Sequence, residues 1–177
     1  MKTTPLPPLS FLEDLLQINP VSPSGLSWCK ANGKKIKAGD FAGCLNKKGY
    51  WVIGLKVNGK NKILMAHRVI YFMHHKTNID QHIIDHIDLN KANNCINNLR
   101  LANLNENKWN QGKAKLKATS KHKGVYWCAK NQKWIATICC NGKRGAIGYY
   151  KTELEAAQAY NVKALKLHGD FARLNQI

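Results

Sequence analysis

The stretch Ile84–Asn107, IDHIDLNKANNCINNLRLANLNEN, decides how this chain is read. Its first half sets a carboxylate beside an imidazole, Asp85-His86, where the apolar strand His82-Ile83-Ile84 runs out. Its second half is rich in Asn and Leu and reaches Asn107 in what the pattern predicts as the first turns of a helix. Asp and Asn offer hard oxygen donors, suited to Mg²⁺ or Mn²⁺. A neutral His, with an ordinary pKa near ~6.5, can take a proton from water at physiological pH. Metal ligands, a base and a very basic chain together point to hydrolysis of a phosphodiester.

The charge supports a polyanionic partner. Lys and Arg outnumber Asp and Glu by 28 to 10, a net charge of +18, and an excess of that size implies nucleic acid rather than a solubility device. No Asp or Glu occurs from Phe41 to Ile79 or from Asn107 to Thr152, so two long surfaces are kept free of negative charge. No window of ~18 apolar residues is present, which excludes a transmembrane helix. Acidic residues inside the apolar part of MKTTPLPPLSFLEDLL argue against a signal peptide. The six cysteines are scattered and form no CxxC pair, so reduced thiols are expected rather than a zinc ribbon. The expected location is the cytoplasm.

Around the central stretch the predicted order is as follows. Residues 1–20 form an N-terminal lead, Pro-rich at first, with a short helix over Ser10–Gln17 capped by Ser10. Short strands are expected near Leu26–Trp28 and Phe41–Cys44, then a basic hairpin of Tyr50–Val57 and Lys62–Ala66 about Asn58-Gly59-Lys60-Asn61. His67–His75 reads as an amphipathic helix, with His67 structural at its start. Asp88 reads as a turn residue. Residues 113–120 are a basic linker. Beyond it, Gly124–Ala129, Lys133–Cys140 and Arg144–Tyr150 are predicted strands joined at Lys130-Asn131-Gln132 and Asn141-Gly142-Lys143. A helix follows, with Thr152 and Glu155 as a capping box, Ala156, Ala157, Tyr160, Ala164 and Leu167 on its apolar face, and Gly169 as the stop.

On the residues Ala66-His67-Arg68, Asp85-His86, Asn94, Asn98-Leu99-Arg100 and Glu106-Asn107, the chain resembles the HNH homing endonucleases of phages and mobile introns. Asn98 lies 12 positions and Asn107 21 positions after His86, an order that fits a ββα-metal fold. Residues 121–177 resemble an APETALA-two/ethylene-response-factor DNA-binding domain. The resemblance rests on Lys123-Gly124-Val125-Tyr126, Lys133-Trp134, Asn141-Gly142-Lys143-Arg144, Ile147-Gly148, Glu155-Ala156-Ala157-Gln158-Ala159-Tyr160 and Ala172-Arg173-Leu174-Asn175. The expected fold class is therefore α+β: an HNH nuclease domain over 21–112, then a small three-stranded antiparallel sheet packed on one helix.

The first resemblance implies a metal-dependent DNA endonuclease with four catalytic residues, Asp85, His86, Asn98 and Asn107. Asp85 and Asn107 would hold one Mg²⁺ or Mn²⁺ ion, His86 would activate water, and Asn98 would brace the loop or orient His86. An oxygen-only ligand set departs from family members with helix histidines and disfavours zinc. Adjacent strand residues point to opposite sides, so Asp85 and His86 can share a site only where the strand distorts. The second resemblance implies that Tyr126, Cys128, Thr137, Cys139, Arg144 and Tyr149 occupy the exposed sheet face that meets bases. Several of these positions are Arg in the plant pattern, which puts the plant target preference aside. Phosphate contacts are expected from Lys47, Lys48, Lys56, Lys60, Arg100, Lys121, Lys123, Lys133, Lys143 and Arg144. The implied partner is double-stranded DNA, met by a monomer or a DNA-dependent dimer, with no membrane and no small-molecule cofactor. The competing reading is a non-enzymatic DNA-binding regulator on a relic nuclease fold.

Overall fold

The computed structural model describes residues 4–33, 35–112, 119–140 and 142–177. Most of the linker expected at 113–120, and Asn141 of the second hairpin turn, lie outside those residues. Contacts gather into two compact units, Met1–Ala102 and Asn103–Ile177. The division falls ahead of the helix that carries Asn107, earlier than the basic segment.

In the first unit, α1 (Leu9–Leu15) leads into β1 (Leu16–Ile18), which pairs antiparallel with β2 (Leu26–Trp28). The helix is shorter than Ser10–Gln17 and is capped by Pro8, with no side-chain cap bond. Gln17 leaves the helical path to pair with Ser27, so strand pairing overrides the local helical pattern. Next, β3 (Cys44–Leu45), β4 (Trp51–Val57) and β5 (Lys60–Met65) form a three-stranded antiparallel sheet. Val57 pairs with Lys60, so the hairpin turn is only Asn58-Gly59, both at positive φ (49° and 77°). That conformation suits Asn-Gly and matches the twist of the flanking strands.

Helix α2 (Ala66–His75) follows without a loop and buries most of its length. Val69 and Ile70 pack with Leu12, Leu26, Ile53, Leu64 and Ile84 in one core. Arg68 Nη1 donates to the His82 carbonyl at 2.9 Å, tying α2 to the entry of β6 (Ile83–His86). β6 pairs antiparallel with β7 (Leu99–Ala102), bringing Asp85 opposite Arg100 and His86 opposite Leu99. The strand therefore runs through Asp85-His86 instead of ending before them.

In the second unit, α3 (Leu104–Asn110) starts with a reciprocal capping box between Asn103 and Glu106. β8 (Val125–Cys128), β9 (Lys133–Cys140) and β10 (Lys143–Tyr150) form an antiparallel sheet with β9 in the centre. Helix α4 (Glu153–His168) begins with the expected Thr152–Glu155 capping box. Ala156, Ala157, Tyr160 and Ala164 bury against Val125, Ala136 and Ile138. His168, not Leu167, completes the buried stripe of α4. Its ring stacks on Trp109 of α3 with centroids 4.4 Å apart, and its Nε2 lies 3.0 Å from the Cys139 carbonyl.

Candidate active site

Asp85 and His86 are both buried, each about 5% exposed. Their side chains engage different partners, as neighbours on a strand should. Asp85 Oδ2 accepts from Arg100 Nε at 3.1 Å and Nη2 at 3.0 Å, a two-nitrogen pair set by the β6–β7 register. Arg100 is thus committed to Asp85, which corrects its expected place on the phosphate surface. A buried carboxylate needs such a counter-charge, because leaving it unpaired costs several kcal/mol.

His86 lies among three side chains that the sequence did not assign to the chemistry. Its ring centroid is 4.8 Å from His67 and 6.1 Å from Tyr50, and its Nε2 is 3.2 Å from Asn94 Oδ1. Burial lowers the His86 pKa, against the raising influence of the Asn94 bond and of Asp88 and Asp85. A neutral imidazole at neutral pH is the form able to accept a proton. The Tyr50 hydroxyl is pushed up by burial and then by the Asp85 charge. The Tyr50 ring thus neighbours His86 and feels the charge of Asp85. Lys91 holds its ammonium 5.0 Å from the centroid of that ring and places a cation beside the site.

Asn98 braces the loop. It donates to Asp88 Oδ1 and to the Asn93 carbonyl, both at 2.9 Å, and accepts from the Asp88 amide at 3.0 Å. Of the two roles expected for Asn98, these bonds fit bracing the loop, and Asn94 is a side chain that contacts His86. Asp88 is a turn residue: burial raises its pKa, but bonds from Asn93, Asn98 and the Asn90 amide outweigh this and lower it.

His67 is buried, and among the described residues its Nδ1 has no hydrogen-bond partner. Burial, then the charges of His86 and Arg68, push its pKa down to about 3. The unfolded chain takes up this proton near pH ~6.5, whereas the folded chain does not until about pH 3. The stabilisation is complete above pH ~6.5 and is lost as the pH falls toward the folded value, by roughly 1.4 kcal/mol per unit. Denaturant unfolding of the whole chain at several pH values between 7 and 4 should show this slope. His67→Phe should flatten it, and an unaltered slope in that variant would refute the assignment.

The donor chemistry at β6 suits a hard cation. Asp85 is paired with the Arg100 guanidinium at 3.0 Å; a carboxylate with an amide oxygen matches Mg²⁺ or Mn²⁺ better than Zn²⁺. Among the described residues no three His, Cys, Asp or Glu side chains gather as a metal-binding group. Asn107, the other expected ligand, lies half-buried on α3 in the second unit.

Comparison with known proteins bears on this arrangement. The family model described as HNH endonuclease matches residues 64–109, which span α2 through most of α3. An uncharacterized HNH endonuclease of Acanthamoeba polyphaga mimivirus is 38% identical over 115 residues, 64% of this chain and 58% of that protein. Protein 3.8 of Escherichia phage T7 is 38% identical over 90 residues, 51% of this chain and 73% of the phage protein. The chain belongs to the HNH endonuclease family. It spans little more than half the length of the mimivirus relative. A solved structure titled for DNA binding and cleavage by the HNH homing endonuclease I-HmuI covers 92% of this chain and 90% of that one. Its TM-score is 0.45 and its identity 24%, too shallow a likeness to transfer the role of a residue.

In this HNH chain the residues expected to meet DNA divide into two groups. Lys47, Lys48, Lys56, Lys60, Lys121, Lys133, Lys143 and Arg144 are exposed, as are Tyr126, Cys139 and Tyr149. Lys123 is not available in the same way. Its Nζ donates to the Trp109 and Gln111 carbonyls, each at 2.6 Å, and burial with the nearby Arg173 charge lowers its pKa to about 8. Thr137 is also misplaced by the sequence reading. It is buried, and its hydroxyl donates to the Gly124 carbonyl at 3.3 Å. Cys128 is half-buried at the sheet edge. Tyr50, His67 and Asn94 are what sequence reasoning missed at the HNH site. Their signal was only partial: His67 and Asn94 fall inside the matched motif, but their contacts to His86 are made by folding.

Proposed function

We propose that this chain is a metal-dependent endonuclease of the homing type, directed to double-stranded DNA by its C-terminal sheet-and-helix domain. The observation that carries the reading is His86: buried, its pKa lowered by that burial, held at Nε2 by Asn94, and set on the strand that also carries Asp85. In the reaction His86 accepts the proton of the attacking water as the hydroxide meets phosphorus. Asp85 and Asn107 would hold a Mg²⁺ or Mn²⁺ ion, which stabilises charge on the phosphate and the leaving oxygen when bound. Asn98 keeps the loop between β6 and β7 in shape, and Lys91 adds positive charge at the mouth of the site.

The C-terminal domain is read as similar to the APETALA-two type, with its sheet face away from α4 turned to the major groove. Tyr126, Ile135 and Tyr149 stand in register across the three strands on that face. Arg144 is the one arginine on it and the best candidate for reading guanine. Lys121, Lys133 and Lys143 would contact phosphates, together with the β4–β5 hairpin lysines. A chain with one such site nicks as a monomer and cuts both strands as a dimer on DNA or in two successive events. Its proposed setting is the cytoplasm of a bacterium or an infected host cell.

Supercoiled plasmid carrying phage or host DNA tests the reading. Nicking or linearisation is expected with Mg²⁺ or Mn²⁺ and is expected to vanish in EDTA. Tight, selective binding with no cleavage under either metal would favour the DNA-binding regulator instead. Binding should also weaken by orders of magnitude between roughly 50 and 200 mM salt, because many phosphate contacts release counterions. A flat salt response would rule out two basic surfaces.

A further inference from the structure

Asn94 stands between two points that together determine which nitrogen of His86 carries the proton. Its side chain is buried, and Nδ2 donates to the Ser24 carbonyl at 2.8 Å. A carbonyl only accepts, so the amide nitrogen has to face Ser24 and Oδ1 has to face away from it. Oδ1 lies 3.2 Å from His86 Nε2. An amide oxygen also only accepts, so in the neutral ring the proton belongs on Nε2 and the lone pair on Nδ1. The reverse amide orientation would set Oδ1 against the Ser24 carbonyl, two acceptors facing one another inside the protein.

The Ser24 end of this relay is rigid. Ser24 is 1% exposed; its Oγ donates to the Ala42 carbonyl at 2.5 Å and accepts from the Leu26 amide at 3.2 Å. Gly25 follows at φ +83°, and a Cβ there would come within 2.7 Å of Ile70 Cδ1 and 3.6 Å of Asn94 Cβ. The 24–25 backbone therefore lies close against both α2 and Asn94, and its carbonyl has little freedom to turn. Seventy residues separate Ser24 from Asn94 in the chain, so the lead before the matched family segment takes part in ordering the base.

We propose that Asn94 is a positioning residue that holds His86 as the Nε2–H tautomer, so that Nδ1 is the nitrogen that takes the proton from the attacking water. This rests on the nuclease reading for the identity of the proton donor, but not for the tautomer. In the step, the O–H bond of water breaks and its proton goes to Nδ1; the water oxygen forms the bond to phosphorus, the bond from phosphorus to the leaving ester oxygen breaks, and that oxygen keeps the electron pair and takes a proton from solvent.

Long-range ¹H–¹⁵N correlation spectra of the full chain labelled with ¹⁵N-histidine, at pH 7.5, read the tautomer directly. The expected result for His86 is a pyrrole-type Nε2 and a pyridine-type Nδ1. A proton on Nδ1 would overturn the proposal, and this test requires no variant to fold. Asn94→Leu, similar in size but without an acceptor, should mix the two tautomers and lower kcat about 10- to 100-fold, with KM for DNA unchanged. A folded Asn94→Leu chain that keeps both the Nε2–H signature and the full kcat would overturn it equally. Failure of the nuclease reading looks different: an unmutated chain with the expected tautomer that cuts no DNA with either metal.

Discussion

Replacing His86 by alanine is expected to lower metal-dependent cleavage of supercoiled DNA by about 10²- to 10⁴-fold, the usual contribution of a general base. The imidazole is the one group at the site that combines a burial-lowered pKa with contacts to Asn94, His67 and Tyr50. Among the described residues, His67, an imidazole 4.8 Å away, is itself buried with no partner for Nδ1. Binding should survive the substitution, since the exposed lysines proposed to meet phosphate are other residues. Single-turnover cleavage and gel-shift affinity, measured on one preparation with its circular dichroism spectrum, separate the two effects. A His86→Ala chain that is folded, binds DNA and still cuts at the normal rate would remove His86 from the mechanism.

Gly124→Ala is expected to cost the C-terminal unit roughly 3–5 kcal/mol, the sum of a left-handed backbone strain and an overpacking term. Gly124 sits at φ +75°, and an added Cβ would fall on the Tyr160 ring and within 2.5 Å of the Thr137 carbonyl oxygen. Neither can yield easily: Tyr160 is 2% exposed in the core, and the Thr137 amide is bonded to the Gly124 carbonyl at 2.7 Å. Folded domains hold only about 0.05–0.15 kcal/mol per residue in reserve, so such a loss would leave this unit largely unfolded near physiological temperature. Gly142→Ala is the proper comparison. Gly142 has nearly the same φ, +77°, but among the described residues nothing lies within 4 Å of its added Cβ, so it should cost only the strain, about 1 kcal/mol. Denaturant unfolding of both variants measures the difference. Equal losses would mean that Tyr160 moves aside and that Gly124 is needed for its backbone alone.

The sequence by itself determined the elements whose signals are local. The hairpin about Asn58-Gly59 (though not its two-residue length), the Thr152–Glu155 capping box and the three C-terminal strands depend on φ preference, short-range bonding and period-two patterning, all contained within a few residues. It also marked Asp85-His86, because a carboxylate and an imidazole at the end of an apolar run stand out in any context. What it placed wrongly involves competition between distant groups. Arg100 reads equally as a phosphate contact or a structural partner until the β6–β7 register sets it opposite Asp85. Lys123 reads as a phosphate contact until two carbonyls of the α3 end take its ammonium. Leu167 reads as core until His168 finds Trp109 to stack upon. The arrangement around His86 belongs to the same class. Tyr50, His67 and Asn94 converge on one imidazole from three separate segments, and Ser24 orients Asn94 from a fourth. Hydrogen-bond partners and burial are properties of the packed chain, and only the tertiary structure decided which of the available polar groups would meet.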